Sequence, residues 1–230
     1  MIYKEIITEY GNSLCFDIGA NIGNRTKTFL DLGYSQIIAV EPQNDCFAIL
    51  NDRFKSYPEV TIINKAVSHE LGISKIYIST ANTISSMDDE FIKTVKEDRF
   101  QNYNWDREEE INTITLDSLI SEYGNPNFIK IDVEGFELNV LRGLSTPAKC
   151  ISFEYTPELH HKSMTCIDYL ESISKNYLYN FSLGESLEFS FSKWVDKQEI
   201  DSWLQNNVLN QKDSNNNLLF GDIYAKHAIK

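Results

Sequence analysis

The chain has 230 residues, 42% of them hydrophobic, which is enough to bury one sizeable core and too little for a second full domain. Its 34 acids against 21 bases leave a net charge of −13, a field that repels nucleic-acid backbones and anionic membrane surfaces, with no Lys/Arg cluster to reverse it locally. No apolar run approaches membrane-spanning length and residues 1–10 lack a signal-peptide core, so neither a membrane nor a nucleic-acid partner is expected and the setting reads as cytoplasmic.

Taken in chain order, a first strand runs from Leu14 to Ile18 and breaks at once into D-x-G-x-N-x-G, Asp17 to Gly23. A polar turn at the carboxyl edge of a parallel strand, followed by a helix with unpaired first N–H groups, is where α/β sheets hold nucleotide-like ligands. The next helix spans 25–32 and stops at Gly33, and a second strand over 36–40 ends in Glu41, which suits a carboxylate accepting two ribose hydroxyls. The dinucleotide fingerprint G-x-G-x-x-G, started at Gly19, would need glycine where Asn21 and Asn24 stand, so an NAD-type pyrophosphate is disfavoured. Asp17, two residues before the first glycine, is placed to receive the cationic amino end of a methionine moiety, which favours S-adenosylmethionine (SAM). The bland alternative is a tight turn that Gly19 and Gly23 permit and Asp17 caps.

A helix over 45–56 ends before Pro58, a third strand covers 60–64, and 74–79 alternates polar with apolar residues as a half-exposed strand outside the parallel pattern. Residues 87–110 are irregular and charged, with Phe91, Phe100, Tyr103 and Trp105 set among the charges. They read either as a lid over a substrate pocket or as a solvated helix with aromatic anchors. A strand over 111–116 and a short helix over 117–123 follow, closed by Gly124-Asn125-Pro126. Phe128 to Asp132 is another apolar strand ending in acids, Asp132 and Glu134, before Gly135; its helix, 136–141, stops at Gly143. Cys150 to Glu154 repeats the theme, so Asp17, Glu41, Asp132 and Glu154 fall on one rim of a parallel sheet.

Lys130 points away from Ile129 and Ile131 in an apolar strand, which makes it a partner for Asp132 or Glu134, in a catalytic or a purely structural pair. His160 and His161 follow the fifth strand, either as a base or as surface residues opening a helix. Cys15, Cys46, Cys150 and Cys166 form no C-x-x-C pair and read as small core residues of a reducing compartment. Beyond Glu171, Trp194, Trp203 and the phenylalanines at 181, 189 and 191 suggest core strands and a helix, 213–217 an exposed turn, and 221–225 a closing strand. Nothing in the sequence specifies an oligomeric state.

Phe16 to Gly23, Val40-Glu-Pro42, Asn64-Lys-Ala-Val67, Ile84-Ser-Ser-Met87, Thr115-Leu-Asp117 and Ile129 to Gly135, with Glu137, Leu138, Val140, Leu141, Arg142 and Gly143, resemble the FkbM family of SAM-dependent methyltransferases. The resemblance spans about 17–154 in matching order, and its Ile129 to Gly143 block is the most specific part. It implies an α/β class I methyltransferase fold, Rossmann-like, with a mostly parallel seven-stranded sheet, one antiparallel strand and helices on both faces. It implies a SAM site formed by Asp17, Gly19, Ala20, Asn21 and Gly23 at the methionine end, Glu41 and Pro42 at the ribose, Lys65 and Ala66 at the adenine edge, and Asp132 facing the methyl group. The acceptor would be a small molecule or a glycan hydroxyl.

A hydroxyl must lose a proton as it takes a methyl, which leaves a general base or a metal. Asp132, Glu134 and Glu154 are the carboxylates placed for that work, with His160 as the other base. Mg²⁺, held in related catechol-type enzymes by acids at such strand ends, is not favoured as a cofactor here. The leading expectation is therefore O-methylation, ahead of N-methylation on the same fold and of a SAM-binding protein without activity. An NAD oxidoreductase comes last.

Overall fold

The computed structural model describes residues 1–97, 99–214 and 217–228. Asp98 of the charged segment and Asn215-Asn216 of the expected C-terminal turn lie outside the described residues. The chain begins with a helix the sequence reading did not anticipate, α1 (Ile2–Tyr10), whose Ile2, Tyr3 and Ile6 are buried along one helical face. Then come β1 (Cys15–Ile18), α2 (Asn24–Asp31), β2 (Ile37–Val40), α3 (Asn44–Phe54) and β3 (Val60–Ile63). β4 (Ala66–Val67), β5 (Gly72–Ile78), α4 (Asp89–Glu97), β6 (Arg107–Ile114) and α5 (Leu116–Tyr123) follow. The last third holds β7 (Phe128–Ile131), α6 (Glu137–Leu141), β8 (Cys150–Tyr155), α7 (His160–Ile173), β9 (Tyr177–Leu183), α8 (Lys197–Asn206) and β10 (Gly221–His227).

The main sheet has seven strands in the order β3-β2-β1-β7-β8-β10-β9. β1, β2, β3, β7 and β8 pair in parallel, and β10 runs antiparallel to both β8 and β9, so one strand of the seven is reversed, as the resemblance implies for a class I methyltransferase fold. Every residue of β1, β2 and β7 is buried because helices cover both faces, which is why these strands read as unbroken apolar runs. The chain works outward from β1 to β3, then returns to the centre as β7 on the other flank of β1. The carboxyl ends of β1 and β7 therefore flank the point where the winding reverses, and loops leaving in opposite directions open a crevice there.

β4, β6 and β5 form a separate three-stranded sheet, with β5 antiparallel to β6. The half-exposed strand expected at 74–79 is β5, and it begins two residues earlier. β6 corrects the reading of 87–110 as one irregular segment: Arg107 to Glu110 are strand, paired residue by residue with Ile78 to Lys75. Lys75 stands opposite Glu110 in the ladder and reaches diagonally to Glu108 at 2.8 Å, and this charge pairing lets an acidic run sit on a half-exposed strand. At the C-terminal side, Phe181 of β9 lies against Trp203 of α8 with ring centres 3.8 Å apart, while Phe189 and Trp194 pack beside α1. All four cysteines are free and buried. Among the described residues no helix is long and apolar enough to cross a membrane.

Candidate active site

A cavity of about 490 Å³ opens along the carboxyl ends of β1, β2, β7 and β8, within the usual size of small-molecule sites. Its floor is the β1–α2 turn. Gly19 there has φ +80°, and a Cβ at this position would fall 1.8 Å from the Asp132 carbonyl oxygen. Only glycine lets the turn after β1 press onto the turn after β7, so the two loops share one wall.

Glu41, buried at the end of β2, ties the next wall together. Its Oε2 accepts the Asn21 backbone N–H at 2.7 Å and its Oε1 accepts that of Gln43 at 2.8 Å. Burial pushes its pKa up to about 7, against the pull of those two backbone hydrogen bonds. Each oxygen keeps lone-pair capacity for a further donor, as a ribose diol would supply. The carbonyl of Asn82 accepts from the Gln43 amide at 3.0 Å and from the Asn21 amide at 3.2 Å, laying residues 82–87 across this end of the cavity. Lys65 and Ala66 line the same end.

Of the residues expected at the cofactor, Gly19, Ala20, Asn21, Glu41, Pro42, Lys65, Ala66 and Asp132 line this one cavity. Asp17 and Gly23 do not. Asp17 is 1% exposed beneath the turn, where its Oδ2 accepts the Thr26 hydroxyl at 2.5 Å and burial raises its pKa to about 6. It braces the turn from below, because alternation along β1 points its side chain into the layer between sheet and helix. Gly23 has φ +85° at the start of α2, and a Cβ on it would meet Phe54 at 2.4 Å; it is glycine for packing against α3.

At the far end, Asp132 and Glu134 after β7 and Glu154 of β8 place carboxylate oxygens within 4.8 Å of one another. So close a group cannot be fully ionised without a counter-charge. The pKa values of Glu134 and Glu154 are both held well above the usual range, by burial first and then by the neighbouring acids. Asp132 has its own counter-charge: the Lys130 ammonium donates to its Oδ2 at 3.2 Å and to Asp222 Oδ1 of β10 at 2.9 Å. Glu137 pins the turn by accepting the Val133 and Gly135 N–H groups, and burial lifts its pKa to about 7.

Glu134 has φ +53°, a conformation that non-glycine residues rarely adopt, and two contacts from the 82–97 segment hold it. The Ser86 hydroxyl donates to the Glu134 carbonyl at 2.6 Å, and Phe91 packs so close to Gly135 that a Cβ there would lie 2.6 Å from it. Met87 and Phe91 from this segment, with Arg99 and Phe100 just after it, line the cavity. The Arg99 guanidinium forks onto the Glu158 carboxylate through two of its five N–H donors.

His160 is not at the site. It opens α7 with Nδ1 3.0 Å from the Pro157 carbonyl, and the cavity lining does not include it. The turn over 157–159 carries it past the rim, so the structure does not bring it together with the three carboxylates. Sequence reasoning missed Gln43, Asn82, Arg99 and Asp222. Only Asn82 had a signal, its closeness to the Ile84 to Met87 motif.

A family model for the methyltransferase FkbM domain matches residues 17–208. The chain is also similar to a hexuronic acid methyltransferase of Haloferax volcanii, AglP, at 27% identity over 147 residues, covering 62% of this chain and 54% of the other. The matched stretch thus spans about half the length of that relative. Among solved structures, a precorrin-6y C5,15-methyltransferase from Geobacter metallireducens superposes with TM-score 0.46 at 11% identity, covering 98% of this chain and 87% of that one. The plantazolicin methyltransferase BpumL in complex with a triazolic desmethylPZN analog and S-adenosylhomocysteine (SAH) gives 0.45 at 11% identity, covering 98% and 81%.

Proposed function

The chain belongs to the methyltransferase FkbM domain family, and from that membership we propose that it moves a methyl group from SAM to a hydroxyl oxygen of a sugar or similar small polyhydroxylated molecule. The observation that carries the choice of oxygen is the cluster of Asp132, Glu134 and Glu154 on the cavity wall. A neutral amine attacks without giving up its proton first, whereas a hydroxyl needs an acceptor whose pKa lies near the working pH. Glu134 and Glu154, raised by burial and by their neighbours, suit that task. The hexuronic acid methyltransferase relative supports a sugar acceptor, and the net charge of −13 supports a small molecule over a nucleic acid.

In this reading Gly19, Ala20 and Asn21 hold the amino-acid arm of SAM, Glu41 the ribose, and Lys65 and Ala66 the adenine edge. When bound, SAM supplies a methyl group carried on a positively charged sulfur. Glu134 or Glu154, in its ionised form, accepts the hydroxyl proton as the new oxygen–carbon bond forms, and later passes it to solvent. Phe91, Phe100 and Phe136 give the acceptor an apolar wall and keep water from the methyl, and holding the reactants aligned contributes on the order of 7 kcal/mol or more. Asp132, Glu134 and Glu154 lie close enough together to hold a cation, but Mg²⁺ is not favoured in this reading, because Lys130 already supplies Asp132 with a counter-charge.

The test is incubation of the protein with SAM labelled in its methyl group and a panel of pyranosides, hexuronic acids and amino sugars, with and without a chelator. Label in an O-methylated sugar, unaffected by the chelator, is the expected result. Label only in amines moves the assignment to N-methylation, and loss of activity on chelation restores the metal.

A further inference from the structure

Lys130 is a charged side chain in the middle of a central parallel strand, 1% exposed. In register it stands directly opposite Asp17 of β1 and Ser152 of β8, on the same face of the sheet. Its ammonium hydrogen-bonds to neither of them. Asp17 is satisfied by Thr26, and the Ser152 hydroxyl has no hydrogen-bond partner. The Lys130 side chain instead reaches the rim and uses its three donors on Ile131 O at 3.3 Å, Asp132 Oδ2 at 3.2 Å and Asp222 Oδ1 at 2.9 Å. With every hydrogen committed, the ammonium has one place to be.

The two acids it joins differ in kind. The Asp132 side chain is 38% exposed and lines the cavity, while that of Asp222 is 9% exposed and does not. Asp222 comes from the reversed strand β10, where pairing with β8 sets it beside Glu154. A buried ion pair of this sort is a poor device for stability, since an apolar trio of similar volume commonly folds as well or better. It is a good device for holding one carboxylate charged and still next to two others that are not.

Resting on the SAM reading above, we infer that Asp222 and Lys130 are positioning residues that hold the Asp132 carboxylate, charged and oriented, against the place the SAM sulfonium occupies. Asp222 anchors the ammonium, the ammonium anchors Asp132 Oδ2, and Oδ1 is left for the cavity. Burial opposes the charge on Lys130, but Asp132 and Asp222 outweigh it and hold its pKa above the ordinary range. The same arrangement lets the site tell SAM from SAH, because only SAM carries the positive charge that Asp132 attracts.

The experiment is calorimetric titration of the full chain and its Asp222→Asn, Asp132→Asn and double variants with SAM and with SAH, each variant checked by thermal unfolding. Asp222→Asn should weaken SAM relative to SAH by roughly fivefold or more, the scale of one partly screened charge contact. Asp132→Asn should do the same, and with Asp132→Asn in place Asp222→Asn should add nothing to the ratio. Lys130→Arg, which keeps the charge, provides the comparison if Asp222→Asn does not fold, and should retain more of the ratio than Lys130→Met. A ratio unchanged in folded Asp222→Asn, or a ratio insensitive to position 130, makes the trio merely structural and overturns the inference. If the unaltered chain binds neither SAM nor SAH, the cofactor reading fails and this inference falls with it.

Discussion

Burial and the neighbouring acids, Asp132 and Glu137 for both and Glu134 for Glu154, push the pKa values of Glu134 and Glu154 up, yet one of the two must be ionised to take a hydroxyl proton. Activity should therefore climb as pH rises above the ordinary carboxylate range. Glu134→Gln keeps the shape of the turn while removing the acceptor, so turnover should fall about 100-fold, the usual scale of a general base, with SAM affinity nearly unchanged. His160→Ala, outside the cavity, should leave both quantities as they were; a loss of turnover measured for His160→Ala would return that residue to the mechanism. Glu41, Asp132 and Glu154 were legible at the rim because each closes an apolar strand, a pattern Asp17 shares although its side chain turns beneath the loop. Asp17 and Gly23 were misplaced because motif spacing does not tell which side of a turn faces the ligand. Asp222 was invisible, lying 92 residues from Lys130 on a strand that reverses direction.

The 82–97 segment is the element on which the site depends most. It crosses the Glu41 end of the cavity through Asn82, holds the strained Glu134 through Ser86, and buries Phe91 against Gly135. Phe91, Val95 and Leu159 form a small cluster of their own, so Phe91→Ala should cost about 3 kcal/mol, felt locally first. Hydrogen exchange should quicken across 86–97 and in the turn over 132–135, while β1 and β2 keep their protection. Uniform acceleration through the sheet would show instead that α4 is part of the global core. The alternation of strand and helix made most of the main sheet readable, and the half-exposed β5 announced itself by its period of two. α1 escaped notice because its apolar positions are few and mixed with charge, and the start of β6 because three successive glutamates look solvated until Lys75 is known to face them.

Across the whole molecule, Asp17, Glu41 and Glu137 share one property: burial lifts them from ordinary values of 3.8, 4.5 and 4.5 to about 6, 7 and 7. Between those limits the folded chain keeps protons that the unfolded chain has lost. The stability they contribute is complete below about pH 4 and drains away as pH rises through 6 to 7. The excess of acids acts in the same direction, since protonation relieves repulsion in a chain of charge −13. The ligand-free protein should thus melt roughly 5 °C or more higher near pH 5.5 than near pH 7.5. A melting temperature that rises with pH over that interval would mean these carboxyls are ionised and compensated when folded.

In the proposed reading the cavity along β1, β2, β7 and β8 is a SAM site built on Glu41. Calorimetric titration near pH 8 with SAM, SAH and NAD, repeated on Glu41→Ala, tests it most directly. The account predicts micromolar binding of SAM and SAH, none of NAD, and loss of both ligands in a Glu41→Ala variant that still folds. Binding of NAD, or SAM affinity undiminished without Glu41, would contradict it.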